Sequence, residues 1–421
     1  MRDILKQRGM RFVFLANLVS MMGSGMNGAA LNWSILQTTH SEMSLSLLVV
    51  LQTIPAMLLM PFSGVIIDRE DRRHLVMWLD AARGLLVLTV ALLVLFHRSH
   101  MWELYFMNII ISIGFWLFWP TINALIQELS HEDQLASSNS LLMAGVQGGW
   151  LMAGAFVGFV YNHIGLGGVL LIDFATYVVS FLCYFGVRQG RHVVKHPEDN
   201  FNMPEHVAGD ALKRYFHEMR ESFTFIRQRR AVILMGAAWS LFLAGMLTQA
   251  VTTSPISDRI LHKGAVGYGW LNFGWAMGAF ISVAYAARST SRMGARRAVT
   301  LCMTILAVCS FLMGTSKILL LSIFLFFLMG SGRGWGGIAI TTDMMQRVPK
   351  QLMGRVQNTF YFLGTGLQIF TALLVGYVAH HIGLARGLAI IGGLYAVGAV
   401  AAIWPTGEPV PDLAEVPETS S

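Results

Sequence analysis

The chain has 421 residues, of which 55% are hydrophobic and only 13% charged, with a formal net charge of +7 and a mean hydropathy of +0.57. Such a composition is too apolar for a soluble enzyme of this size and points to a polytopic membrane protein. The basic excess does not indicate a nucleic-acid partner, because the arginines and lysines are gathered in short segments between apolar runs.

A bilayer core of about 30 Å takes roughly 20 apolar residues of helix. Twelve stretches approach that length, at 12–37, 44–67, 74–96, 102–126, 137–161, 166–186, 231–253, 264–287, 297–315, 318–341, 357–379 and 383–404, numbered here as spans 1 to 12. Most of the 30 lysines and arginines then fall on one side, in the segments holding Arg2, Lys6, Arg8 and Arg11, then Arg69, Arg72 and Arg73, the stretch 188–230, Arg288 to Arg297, and Arg347 to Arg355. By the positive-inside rule both termini are expected in the cytoplasm, with the chain in the cell (inner or plasma) membrane. Span 1 is long and has no small-residue cleavage site after a short apolar core, so it is expected to stay as a spanning helix.

Span 1 carries Asn17, Ser20, Ser24 and Asn27 at i, i+3, i+7 and i+10, a polar stripe on one face. Such a stripe either faces a watery cavity or hydrogen-bonds neighbouring helices; the cavity is the expectation here, and the interface for the similar Asn358, Tyr361, Thr365 and Gln368 of span 11. Spans 2 and 3 are joined by Gly64-Val-Ile-Ile-Asp68-Arg69-Glu-Asp-Arg72-Arg73. In that cluster a glycine admits a close helix neighbour, an aspartate suits a helix N-terminus, and arginines stay at the charged face. Asp80 and Arg83 in span 3 lie on one helical face and are expected to form an ion pair. Trp116, Trp119 and Asn123 in span 4, with Trp239 and Gln249 in span 7, offer aromatic faces and amides suited to a large, partly apolar compound. Packing or interfacial roles are the competing reading for each of them.

An acidic group able to carry a proton is scarce: spans 1 and 7 hold none, and Asp173 in span 6 is the choice for coupling. Arg333 in span 10 sits roughly 12 Å from the inner helix end at 1.5 Å per residue, within Gly330-Ser-Gly332-Arg333-Gly334-Trp335-Gly336-Gly337. It is read either as an anion or substrate contact, with Trp335 beside it, or as a structural pairing with Asp343 or backbone carbonyls.

An internal repeat is legible by counting. Val157-Gly-Phe-Val-Tyr-Asn-His-Ile-Gly-Leu166 recurs as Val375-Gly-Tyr-Val-Ala-His-His-Ile-Gly-Leu384 with seven of ten positions identical, and at a near-equal offset Arg69, Gln127 and Asn139 fall on Arg288, Gln346 and Asn358. The domains follow: a six-span half at 1–187, a cytoplasmic linker at 188–230, a second half at 231–404, and an acidic, proline-bearing tail at 405–421 expected to be disordered. Within the linker Leu212, Tyr215, Phe216, Met219, Phe223 and Ile226 trace the apolar face of an amphipathic helix. Cys183, Cys302 and Cys309 are expected to pack, and the scattered histidines, His380-His381 included, to be structural rather than metal ligands.

The Gly64 to Arg73 cluster resembles the signature between the second and third helices of the major facilitator superfamily, Gly-x-x-x-Asp-Arg/Lys-x-Gly-Arg-Arg/Lys, with Asp71 in place of the second glycine. At the entry to span 11, Thr342-x-x-x-Gln346-x-x-Pro349-x-x-x-x-Gly354-Arg355-Val356 is similar to the macrolide-efflux and enterobactin-exporter branch, as are Asp80 with Arg83 and Gly267-Tyr268-Gly269. The resemblance implies an all-α polytopic fold, twelve transmembrane helices in two pseudo-symmetric six-helix halves, and alternating-access export of a drug-like or siderophore-like small molecule by proton antiport. It further implies that Gly64 and Asp68, with Arg69, Arg72 and Arg73, latch the cytoplasmic side, the alternative being that the three arginines only anchor topology, that Arg333 faces the central cavity, and that the protein needs no cofactor and works as a monomer. The antiporter pattern of span 5 is met only in part, by Gly149, Gly154 and Gly158, with Ala155 where proline is expected. Uptake, or a transport-inactive scaffold on the same fold, is the alternative. An ATP-driven pump is disfavoured by the lack of a GxxxxGK[ST] loop and of a soluble segment large enough for a nucleotide domain, and a membrane enzyme by the lack of convincing paired catalytic groups at one depth.

Overall fold

The computed structural model describes residues 7–69, 71–130, 134–187, 220 and 223–404, with the side chains at 56, 60–69, 135–137 and 350–351 outside the description. The helices are α1 (Arg8–Thr39), α2 (Glu42–Arg69), α3 (Arg72–Leu95), α4 (Met101–Leu129), α5 (Leu135–Gly186), α6 (Arg230–Thr248), α7 (Ala250–Pro255), α8 (Gly264–Met293), α9 (Ala295–Met313), α10 (Leu319–Arg347), α11 (Lys350–His381) and α12 (Leu384–Ile403). A π-wound turn, Ile256–Ile260, follows α7.

Among the described residues nine stretches are long and apolar enough to cross a membrane. One of them, Ser138–Gly186, holds spans 5 and 6, while spans 1 and 8 are present as α1 and α8, of 32 and 30 residues. Every span of the sequence reading is therefore helical, as lipid requires of a chain that must satisfy its own backbone. The linker helix expected around 212–226 and the tail at 405–421 lie almost wholly outside the described residues; 223–227 are helical, with Ile226 buried.

The repeat has a backbone signature. Inside α5 the chain leaves helical geometry at Gly165 (φ 63°, ψ −169°), which divides it into two arms, 135–164 and 166–186. Gly383, its repeat partner between α11 and α12, has φ 125°. Only glycine enters that region without steric cost, which explains why the repeated motif keeps His-Ile-Gly-Leu. A second duplicated device closes each half. Arg73, second residue of α3, donates from Nε and Nη2 to the carbonyls of Tyr184 (2.8 Å) and Phe185 (2.7 Å) at the end of α5. Arg296, second residue of α9, does the same to Ala402 (2.7 Å) and Trp404 at the end of α12. A guanidinium there satisfies orphan carbonyls at the negative end of a helix.

The chain forms two compact units: unit 1 comprises Met1–Thr39, Leu51–Leu212 and Gly264–Phe273, and unit 2 His40–Val50, Lys213–Lys263 and Gly274–Ser421. They differ from the two sequence halves in that α2 and α8 each contribute their first segment to the other unit. In unit 1, α1 and α3 pack on α5 around Val13, Ala16, Met21, Val76, Phe118 and Tyr184. Its α5 also receives the start of α8, where Gly158 and Gly269 come so close that a Cβ on either would press on the other's backbone. In unit 2, α12 packs on α9 and α6, and α11 on α6.

A close backbone seam of unit 2 joins α8 to α10. A Cβ at Gly330 would overlap the carbonyl oxygen of Trp275, and one at Gly278 that of Phe327. Small residues at these crossings let backbones meet, the main route to helix association where no hydrophobic driving force exists between spans. Gly330→Ala should therefore lower unfolding stability in detergent by about 1–3 kcal/mol. Gly337→Ala, where an added Cβ meets nothing within 4 Å, should stay within about 0.5 kcal/mol of the parent.

Candidate functional site

The polar stripe of α1 finds its partners on the second arm of α5. Asn17 Nδ2 donates to the Val13 carbonyl (2.8 Å) and to Tyr184 Oη (3.1 Å), Ser24 shares a hydrogen bond with Tyr177 Oη (3.2 Å), and Asn27 Nδ2 donates to Asp173 Oδ2 (2.6 Å). Asn17, Ser20 and Asn27 are buried. The structure thus turns this stripe into the interior of unit 1, where the sequence reading had it line a cavity. The reason is complementary spacing: Asp173, Tyr177 and Tyr184 descend one face of α5 in steps that match Asn27, Ser24 and Asn17. Gly23 makes the approach possible, since a Cβ there would fall 2.6 Å from Asp173 Oδ1.

Helix α3 completes the column. Asp80 and Arg83, both buried, form the expected ion pair (Nη2 to Oδ1, 2.5 Å), and Ser180 donates to the other Asp80 oxygen (2.6 Å). The Arg83 guanidinium also lies over the rings of Tyr177 (4.9 Å) and Phe118 (5.3 Å). Asp173 interacts electrostatically with Arg83 and accepts from Thr176 as well as Asn27. Asp173 is therefore fully buried at the meeting of α1, α3 and α5.

Of the charged cluster between spans 2 and 3, the side chains of Gly64, Asp68 and Arg69 lie outside the described residues. Asp71, where the superfamily signature has glycine, is the N-cap of α3 and accepts from the His74 amide (3.0 Å). Arg72 pairs with Glu128 at the end of α4, and Arg73 caps α5. These two arginines fasten unit 1 internally.

In unit 2 the expected alternatives for Arg333 separate. Asp343 pairs with Arg347 (2.7 Å), one turn away on its own helix, and not with Arg333. Arg333 Nε instead meets Met246 Sδ (3.0 Å), and its guanidinium lies 5.1 Å from the Trp275 ring centroid. Gln249, buried one turn beyond Met246, donates to Met329 Sδ (3.6 Å). Trp335 turns the other way, into the α8–α10 seam, with Nε1 donating to Thr290 Oγ1 (3.0 Å) and its ring edge on Tyr285. Trp116, Trp119 and Trp239 are half-buried, and Asn123 is exposed and bonded to the carbonyl of Trp119 (2.9 Å).

One cluster escaped the sequence reading. Glu42, at the first residue of α2 and fully buried, pairs with Arg259 (2.5 Å) and with His380 Nδ1 (3.3 Å), while Arg259 also donates to the His40 carbonyl (2.6 Å). Its members are hundreds of residues apart, and the only signal was a carboxylate at the edge of an apolar run. Among the described residues no group of three or more His, Cys, Asp or Glu side chains could hold a metal ion, and all three cysteines are buried and unpaired.

The profile of the Major Facilitator Superfamily matches residues 13–367. The chain belongs to that superfamily. It is accordingly a multi-pass membrane transporter, and family and fold point away from an enzyme. Among relatives, the uncharacterised MFS-type transporter YkuC of Bacillus subtilis (strain 168) is 24% identical over 369 residues, covering 85% of this chain and 82% of that one. Macrolide efflux protein A of Streptococcus pyogenes is 23% identical over 237 residues, 54% of each chain. Of solved structures, the nucleoside transporter NupG superposes with a TM-score of 0.75 at 12% identity, over 94% of this chain and 98% of that one, a likeness of fold alone.

The buried pair in α3 makes a sharp prediction for this superfamily member. Asp80→Leu, which strands the Arg83 cation, should cost about 3–5 kcal/mol. The double variant Asp80→Leu with Arg83→Met should cost less than the single one; equal or additive losses in a double-mutant cycle would contradict the pairing.

Proposed function

We propose that the protein is a secondary active exporter of a drug-like or siderophore-like small molecule, working by alternating access and driven by proton antiport. The likeness to Macrolide efflux protein A supports the direction and the substrate kind. The observation that carries the coupling is Asp173, a carboxylate removed from water, held by Asn27 of α1 and acting on the Arg83 cation. Proton coupling needs an ionisable group whose protonation changes the packing around it. A proton on Asp173 cancels the charge opposing Arg83 and replaces the acceptor that grips Asn27, so the α1–α5 contact changes with proton binding.

Substrate contacts fall to the aromatic and polar groups that keep access in each unit: Trp116, Trp119 and Asn123 on α4, and Trp239 and Arg333 on α6 and α10. Asn17, Ser20, Ser24 and Asn27 instead transmit the state of Asp173 through α1. The cytoplasmic latch at Gly64, Asp68 and Arg69 follows the superfamily signature, with Arg72 and Arg73 holding the frame on which it closes. The protein acts as a monomer in the inner membrane with both termini cytoplasmic, an orientation supported by its basic inner segments.

Counterflow in proteoliposomes, screened over macrolides, siderophores and lipophilic cations at two pH gradients, tests the reading. Asp173→Asn should retain substrate exchange and lose gradient-driven accumulation. Unchanged proton flux in that variant would exclude Asp173, and accumulation with the gradient reversed would make the protein an importer. Asp68→Asn should insert at normal abundance and transport about tenfold or more slowly, as expected when one of two access states loses roughly 1.4 kcal/mol or more; normal efflux at normal abundance would remove the latch.

A further inference from the structure

Arg333 lies well inside α10, and a cation at that depth is expensive unless something compensates it. Among the described residues the buried acids of unit 2 are two, Glu42 at the start of α2, already engaged by Arg259 and His380, and Asp343. The sequences of α6, α7, α8, α9, α11 and α12 contain no aspartate or glutamate, and α10 contains only Asp343. That one is engaged by both Nε (2.7 Å) and Nη2 (3.2 Å) of Arg347. It also lies ten residues from Arg333, about 15 Å along a helix at 1.5 Å per residue.

What surrounds the guanidinium is apolar and soft. Among the described residues its hydrogen bond goes to the thioether of Met246, a weak acceptor, and its face rests on Trp275. Met329 lies one turn away on α10, held by Gln249. Tyr395 on α12 packs against α6, its ring seated where a Cβ on Gly245 would intrude (2.7 Å). The Arg333 side chain itself is only partly buried, in contrast to Arg83, which is sealed in its column. Unit 1 thus gives Arg83 a carboxylate, and among the described residues no carboxylate pairs with Arg333.

We propose that Arg333 is a recognition site for the carboxylate of an organic anion, whose apolar or aromatic body packs on Trp275, Met246 and Met329. A guanidinium presents paired N–H groups that match a carboxylate bidentately, which a lysine does not. The methionines supply an adaptable apolar wall, so the charge is selected and the body is tolerated. This site rests on the reading of the protein as a transporter of small organic molecules and adds a charge requirement to it: molecules carrying only a positive charge are disfavoured here.

The test uses purified full-length protein in detergent and three probes that share one body, 4-phenylbutyrate, 4-phenylbutanol and 4-phenylbutylamine, with binding followed by intrinsic tryptophan fluorescence. The parent should bind the carboxylate about tenfold or more tightly than the alcohol, the scale of one charge-assisted hydrogen-bonded contact, and the amine most weakly. Arg333→Gln should bring carboxylate and alcohol within about twofold of each other while leaving the alcohol's affinity in place, which also certifies that the variant is folded. Arg333→Lys should keep a preference of intermediate size. Binding in detergent is read without any proton gradient, so a failure of proton coupling is read separately from a failure of this site. A parent without carboxylate preference, including one that binds none of the three probes, or an Arg333→Gln variant that keeps the preference, overturns the proposal.

Discussion

Where helices pack directly on one another inside a bilayer water is excluded, so each polar side chain buried there must find a partner in the protein or leave its desolvation cost uncompensated. In unit 1 that constraint organises everything else. Once Asp80 and Arg83 are placed inside α3, the charge of Arg83 draws the rings of Tyr177 and Phe118 around it, Ser180 turns to the free oxygen of Asp80, and Asp173 comes within reach. The α1 stripe then has only one register in which Asn17, Ser24 and Asn27 all meet acceptors or hydroxyls on α5. Sliding α1 by one residue would rotate those groups away, leaving several unpaired. Such a column adds little net stability over an apolar replacement, and its value lies in the single arrangement it permits.

The two halves share a frame and differ in chemistry. Gly165 and Gly383 occupy the same junction, and Arg73 and Arg296 cap the last helix of each half in the same manner. Yet in unit 1 the buried arginine of the polar column, Arg83, is paired with Asp80, while unit 2 carries Arg333 beside sulfur and indole. Duplication supplied the scaffold twice, and the sites grafted on it diverged. In the proposed cycle unit 1 handles the proton and unit 2 reads the charge of the cargo.

The first segments of α2 and α8 add a further layer. The start of α2 is held in unit 2 by Glu42 with Arg259 and His380, and by Ser46, whose hydroxyl donates to the Ala372 carbonyl (2.7 Å). The start of α8 is held in unit 1 by glycine contacts with α5 and by the stack of Trp33 on Tyr268 (5.7 Å). Each of these two helices is therefore divided between compact units along its own length.

The sequence by itself determined the class, the twelve spans, the duplication and the pairing of Asp80 with Arg83, because hydropathy, repeat spacing and one-turn separation along a helix are local properties that lipid makes decisive. It also singled out Arg333 as anomalous, since a cation inside an apolar run needs no tertiary knowledge to be noticed. Only the tertiary structure decided which way each polar face turns. A stripe on α1 has the same periodicity whether it lines water or meets another helix, and the matching residues of α5 that settle the matter are some 150 positions away. The same holds for Asp343, whose choice of Arg347 over Arg333 depends on side-chain direction, and for Glu42, whose partners lie 217 and 338 residues distant along the chain. Periodicity tells which residues share a face; the partner of that face depends on packing between distant segments, and packing exists only in three dimensions.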